Sequence, residues 1–397
     1  MNLELRALFD SLENHLASPL FSPIRIRGLE LANRIVMAPM TRGFSPNGVP
    51  GPDMAAYYRR RAEGRTGMII TEGVGIDHPS ALGQAGLNEA DIPRIYGADA
   101  LAGWRHVVEE VHAAGGKIAP QLWHQGVMRQ KGSGPFPDAE SMRPSGTWGP
   151  FGGHRSIHPD YVAATFAPTR PMSEQDIEDV IDAYVRAAKD AVSIGFDAIA
   201  LHGAHGYMID NFLWKETNQR TDQWGGSIEN RGRFGAEIVR RIRREIGEDM
   251  PIFFRFSQWK QQDYNARLAS TPAELEAVLA PLVDAGVDVF DVSNRQLTKP
   301  GFDGDPTTLA GWTRKVTGKT TMAVGQVGLN REYYDDRQGN ISEMIDNIPE
   351  VVNLFKAGEF DLIGVGRALL NDPDWTVKLW SGREQLPYDV ENLRKLT

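Results

Sequence analysis

Two imidazoles and a phenol, His202, His205 and Tyr207, fall within six residues just after an apolar run. A neutral imidazole can donate an N–H to an oxygen on which charge develops. A tyrosine, with an unperturbed pKa of about 10, keeps its proton at neutral pH and can deliver it as a general acid. Together these groups could polarise and protonate an activated carbonyl compound. The histidine pair is read as two hydrogen-bond donors, so no metal is expected.

Such groups need a scaffold that brings them to one place. Short apolar, β-branched runs recur between longer amphipathic stretches, at 35–37, 67–71, 117–122, 198–202, 251–257, 287–293, 320–324 and 362–366. Apolar strands alternating with helices imply a parallel sheet covered on its faces, and eight of them favour closure into a (β/α)8 TIM barrel. Ser173, followed three residues later by Asp176, predicts an N-cap for one intervening helix.

In such a barrel the reactive groups gather where the strands end at their C-termini. That rule selects Thr41 on the first unit, Gly73 on the second, Gln121 and Trp123 on the third, His202 on the fourth and Arg255 on the fifth. A buried guanidinium at Arg255 would serve either a structural ion pair or charge developing on a ligand. The last two units place Gly325 with Gln326, and Gly366 with Arg367, just after their strands. Loops in those positions commonly build a phosphate site from backbone N–H groups and an arginine.

The stretch 201–234, LHGAHGYMIDNFLWKETNQRTDQWGGSIENRGRF, resembles the Old Yellow Enzyme family of FMN-dependent ene-reductases. Its H-x-A-[NH]-G-Y part is matched by His202, Ala204, His205, Gly206 and Tyr207. Its second part is matched by Arg220, Asp222, Trp224, Gly225, Gly226, Ser227, Asn230, Arg231, Arg233 and Phe234, which are read as bracing the barrel. The resemblance implies non-covalent FMN, with Ala38, Pro39 and Met40 along one ring face and Thr41 tuning the flavin edge. Gln121 would pair with the pyrimidine, Arg255 would sit near N1, and Gly73 would lie beside the ring. Gly325, Gln326, Gly366 and Arg367 would take the phosphate.

The same resemblance implies NADPH or NADH as hydride donor and an electrophilic alkene, an α,β-unsaturated carbonyl or nitro compound, as acceptor. His202 and His205 would bind the substrate oxygen, Trp123 would help line its site, and Tyr207 would protonate the α-carbon after hydride arrives from flavin N5. The nicotinamide in this family docks without a dinucleotide fingerprint, and no G-x-G-x-x-G follows the first strand. The family's cysteine-bearing branch is excluded by Thr41 and by the absence of any cysteine. Trp259 and Tyr264, in the unusual run QWKQQDYNARLA, are expected over the substrate space.

Composition narrows the partners. A formal net charge of −9 without a basic patch argues against nucleic acid and anionic membranes. Zero cysteines exclude disulfides and cysteine-ligated iron–sulfur clusters, so a multidomain relative carrying such a cluster is disfavoured, as it is by the chain's end at Thr397. No run approaches the roughly 20 apolar residues of a membrane span, and no signal peptide is evident, so a cytoplasmic protein is expected. Its partners would be small molecules, with a homo-oligomer compatible with the chain.

Two segments depart from the repeat. Residues 1–18 read as an N-terminal helical extension, with residues 19–397 as a single FMN-binding barrel domain. Within that domain, 124–169 forms a long connection after strand three, rich in Gly, Pro and aromatics including Trp148, Phe151 and Tyr161, and reads as a cap over the active-site face. Two rival functions share the barrel: a cofactor-free lyase or isomerase using Tyr207 as acid, and a catalytically silent flavin-binding protein.

Overall fold

Parity along each strand decides which side chains enter the barrel and which face the helices. The computed structural model describes residues 17–84, 91–150 and 157–397. Its eight barrel strands are β3 (Ile35–Met37), β4 (Met68–Gly75), β5 (Ile118–Trp123), β6 (Ile199–His202), β7 (Ile252–Phe256), β8 (Val289–Ser293), β9 (Thr320–Val324) and β10 (Leu362–Val365). They pair in parallel, in chain order, and the ring closes where β10 meets β3. Each of the eight apolar runs in the sequence becomes one of these strands.

One set of alternating residues, including Val36, Met68, Ile70, Ala119, Ala200, Phe253, Val289, Met322 and Leu362, packs together inside the barrel. The other set, including Ile35, Ile69, Leu122, Leu201, Phe254, Phe290 and Ile363, joins the larger cluster formed with the helices. Each fully buried aliphatic or aromatic side chain contributes about 1.5–3 kcal/mol. Continuing the inner set toward the strand ends brings up Ala38, Gln121, His202, Arg255, Asp291 and Val324, so the polar site sits directly above the apolar plug. On β4 the pairing register shifts between Ile70 and Gly73, which re-aims the strand's last residues.

The lower end of the barrel is closed by an antiparallel hairpin of β1 (Ile24–Ile26) and β2 (Leu29–Leu31). Ile26, Leu29 and Leu31 are buried against the inner apolar set. The sequence pattern shows no hairpin there. Residues 1–16 of the N-terminal extension lie outside the described residues.

The helices follow their sequence signals. Ser173 caps the helix Glu174–Ser193 in a reciprocal box with Asp176. Ser227 caps Ile228–Ile246, and Thr271 caps Pro272–Ala285. Those last two helices approach closely because Gly232 and Gly235 present no side chain to Pro281 and Leu282. No helix among the described residues is long and apolar enough to cross a membrane.

The described part of 124–169 wraps the flank of the upper rim. Tyr161 donates its hydroxyl to the Met128 carbonyl, Arg143 binds the carbonyls of Thr165 and Ala167, and Trp148 is buried. This segment also grips the loop after β4. Gln125 Oε1 accepts from Gly83 N at 2.6 Å, Gln125 N donates to the Ala81 carbonyl at 2.8 Å, and Gln130 N donates to the Gly83 carbonyl at 2.8 Å. None of its described residues lines the cavity at the barrel mouth. Phe151 lies outside the described residues.

Candidate active site

A cavity of about 390 Å³ opens at the C-terminal ends of the strands. Every site residue expected from the sequence is on its wall: Ala38, Pro39, Met40, Thr41, Gly73, Gln121, Trp123, His202, His205, Tyr207, Arg255, Gly325, Gln326, Gly366 and Arg367. Trp259 and Tyr264 are there as well. The matched R-x-D and G-G-S residues are not. Instead, Arg220 binds Asp222 and the carbonyls of Pro144 and Met172, while Phe234 stacks on Phe212 with ring centroids 4.0 Å apart.

The His202, His205 and Tyr207 rings form one aromatic cluster. The His202 ring lies 4.9 Å from both His205 and Tyr207, edge to face in each case. Trp123 meets Tyr207 edge to face at 4.9 Å and lies parallel to His202 at 6.0 Å. Both imidazoles are held well below their ordinary pKa. For His202 the causes are burial and then the Arg255 charge; for His205 they are burial, then His202, Arg255 and Lys260. They are therefore neutral donors at physiological pH. Burial pushes the Tyr207 phenol further above its ordinary value, so it holds its proton. Its hydroxyl donates to Gln84 Oε1 at 3.1 Å.

The turn that carries His205 is built from the loop after β7. His205 adopts φ 66°, a left-handed conformation that imidazole side chains visit more often than most. Its N–H donates to Ser257 Oγ at 3.0 Å and its carbonyl accepts from Gln261 N at 3.3 Å. The Trp259 indole stacks on the imidazole at 4.3 Å with a 20° interplanar angle. Behind the turn, Lys260 Nζ meets Asp210 Oδ1 at 2.7 Å while Asp210 Oδ2 accepts from Gly206 N, also at 2.7 Å.

Strand register puts Arg255 level with His202 on one side and Asp291 on the other. The buried guanidinium is held by Asp291, Nε to Oδ2 at 2.6 Å and Nη2 to Oδ1 at 3.2 Å. Arg255 is thus both an ion-pair partner and a cavity-wall residue. Sequence reasoning missed Asp291, Ser293, Gln84, Asn294 and Arg295. Only the parity of β8 could have pointed to the first two.

At the opposite rim, Gly325 and Gln326 take positive φ values, 149° and 53°, and a side chain on Gly325 would strike the Asn294 carbonyl. A Cβ at Gly73 would sit 2.5 Å from the Trp123 ring. Arg367 follows Gly366 on the wall, but its Nη groups are already engaged: Nη1 with Asp336 and Ser342 Oγ, Nη2 with the Arg331 carbonyl.

Five buried polar atoms of wall residues have no protein partner among the described residues: Arg42 Nε, Gln121 Nε2, Trp123 Nε1, His202 Nδ1 and Arg295 Nη1. Buried polar groups of native proteins are ordinarily paired, so orphans gathered in one cavity call for a ligand with polar edges. A flavin ring, with carbonyls and ring nitrogens along one side and apolar carbons on the other, fits this wall of amide, imidazole, guanidinium and thioether.

The chain resembles proteins of one kind throughout. It is 34% identical over 379 residues to an NADH oxidase of Thermoanaerobacter brockii, a match covering 92% of this chain and only 51% of that protein, so the chain spans about half its relative's length. It is 37% identical over 367 residues to 12-oxophytodienoate reductase 7 of Oryza sativa subsp. japonica, covering 90% and 86% of the two chains. A solved Old Yellow Enzyme homologue from Zymomonas mobilis superposes with a TM-score of 0.74 at 27% identity, covering 95% of this chain and 97% of that one. The NADH:flavin oxidoreductase / NADH oxidase family model matches residues 19–385, and the chain belongs to that family, the Old Yellow Enzyme group that its signature resembles.

Proposed function

We propose that the protein is an FMN-dependent ene-reductase that uses NADPH or NADH to reduce the C=C bond of α,β-unsaturated carbonyl or nitro compounds. The observation that carries this reading is the convergence of His202, His205 and Tyr207 on the same cavity as the unpartnered N–H groups of Gln121 and Trp123. FMN, when bound, supplies the hydride, drawn from NAD(P)H and passed to the alkene.

Ala38, Pro39, Met40, Thr41, Gly73 and Gln121 would hold the ring, with Arg255 at its electron-rich end. Gly325, Gln326, Gly366 and Arg367 would form the phosphate end. The chain's own residues do the rest. His202 and His205 donate hydrogen bonds to the activating oxygen, and these bonds strengthen as enolate charge grows, which favours the transition state over the ground state. Tyr207, kept protonated by its surroundings and oriented by Gln84, gives its proton to the α-carbon. Trp123 excludes water from that side. The segment 124–169 acts as a flanking cover by fixing the loop that carries Gln84.

The test is an anaerobic absorbance spectrum before and after NADPH or NADH, followed by 2-cyclohexenone. A flavin band that bleaches with the nicotinamide and returns with the enone supports the proposal. A protein that is colourless and takes up no FMN overturns it in favour of a cofactor-free barrel enzyme. A flavin that is not reduced, or that is reduced and not reoxidised by enone, points to the silent flavin-binding protein.

A further inference from the structure

His205 has two ring nitrogens, and only one can carry the proton while the ring is neutral. Its Nε2 lies 2.8 Å from Ser293 Oγ, at the end of β8. Nδ1 takes no protein partner among the described residues. Whichever nitrogen bears the proton therefore decides whether His205 can donate into the cavity at all. With the proton on Nε2, the ring would donate to Ser293 and turn a lone pair toward the substrate oxygen, which is repulsive.

Ser293 resolves the choice. It is 5% exposed, and among the described residues its hydroxyl has one hydrogen-bond partner, His205 Nε2. If Nε2 were the donor, the Ser293 proton would be buried with no acceptor. If Ser293 donates, both groups are satisfied, and leaving a buried donor unmade is the costlier state. The surroundings fix the pair in this relation. Trp259 stacks on the imidazole and donates Nε1–H to the Ser293 carbonyl at 3.1 Å, while Ser257 Oγ accepts from His205 N and donates to the Trp259 carbonyl at 2.6 Å. Ring plane, ring position and hydroxyl are thus set by one closed network.

We propose that Ser293 is a positioning residue that holds His205 as its Nδ1–H tautomer, its hydroxyl donating to Nε2 so that Nδ1 donates to the activating oxygen of the substrate. The role in substrate binding rests on the ene-reductase reading; the tautomer itself does not. Ser293 never touches the reacting atoms. Its effect passes through the imidazole, as with other residues that orient a catalytic histidine.

The experiment is nitrogen NMR of the protein as purified with ¹⁵N-labelled histidine, the His205 signals being assigned by loss in His205→Asn. The expected result is a protonated Nδ1 and a pyridine-like Nε2 in the unsubstituted protein. In Ser293→Ala, the Nε2-protonated form should appear, and kcat/KM for 2-cyclohexenone should fall about tenfold, the scale of one lost hydrogen bond. Ser293→Thr, which keeps the hydroxyl, should restore both. A protonated Nε2 in the unsubstituted protein overturns the proposal without any variant having to fold. So does a Ser293→Ala protein that retains the Nδ1–H form. Failure of the ene-reductase reading would instead appear as absent flavin or unreactive enone, leaving the nitrogen spectrum unaffected.

Discussion

Lys260 and Asp210 form an ion pair with no solvent exposure, Nζ to Oδ1 at 2.7 Å, directly behind the turn that carries His205 and Tyr207. The loop after β7 and the short helix Met208–Leu213 are joined by this contact, which Lys260 Nζ extends to the Ser257 carbonyl at 3.0 Å. The opposed charges answer each other. Burial alone pushes the Asp210 carboxyl up and the Lys260 ammonium down, and their mutual attraction works against both effects.

Lys260→Met should therefore leave a buried carboxylate without its partner and cost about 3–5 kcal/mol of folding stability. Urea unfolding monitored by tryptophan fluorescence would show this as a lower midpoint. Lys260→Met combined with Asp210→Leu should recover much of the loss. A single variant as stable as the parent would mean the pair does not fasten the turn.

Tyr207→Phe should separate the two half-reactions. Loss of a positioned general acid lowers alkene reduction by about 10²–10⁴-fold, while flavin reduction by NADPH is unchanged. Stopped-flow absorbance measures each step in isolation. Equal loss in both would remove the acid role from Tyr207.

The pH profile of alkene reduction follows from the two imidazoles and the phenol. Because His202 and His205 are held well below 6.5, they stay neutral as pH falls from 7.5 to about 6, where an ordinary imidazole would be mostly protonated. Because Tyr207 is raised above its ordinary value, it stays protonated past pH 10. Single-turnover rates should accordingly be flat from about pH 6 to 10. A limb with its midpoint near 6.5 would show that one imidazole titrates normally.

Asp291→Asn should leave the Arg255 charge uncompensated. Reduced flavin carries negative charge, which a freer guanidinium stabilises, so the midpoint potential should become more positive. The same change should weaken folding by about 1–3 kcal/mol through loss of a charged hydrogen bond. Spectroscopic redox titration against a reference dye, with thermal unfolding alongside, reads both. A potential that stays fixed would place Arg255 too far from the ring to influence it.

The site was unusually legible because parallel strands carry their own positional rule. A polar residue at the end of an apolar run belongs to the barrel mouth, and His202, Gln121 and Arg255 could each be located by that rule alone. What stayed hidden were the partners. The parity of β8 turns Asp291 and Ser293 of DVSN inward, but nothing local says that one grips Arg255 and the other His205. Gln84 meets Tyr207 only because a segment more than forty residues further along holds its loop. The β1–β2 hairpin was missed for another reason. Its strands are three residues each, too short for an alternation to show, and its stability comes from plugging the barrel.

The ring closes where β10 pairs with β3, Ile363 opposite Ile35 and Val365 opposite Met37. During synthesis on the ribosome, one half of that seam emerges more than three hundred residues before the other, so the early strands must wait as an open sheet with an unpaired edge. The cavity wall draws on both halves of the seam, with Met40 on one side and Gly366 on the other. A growing chain therefore has no complete pocket to offer until translation has delivered β10.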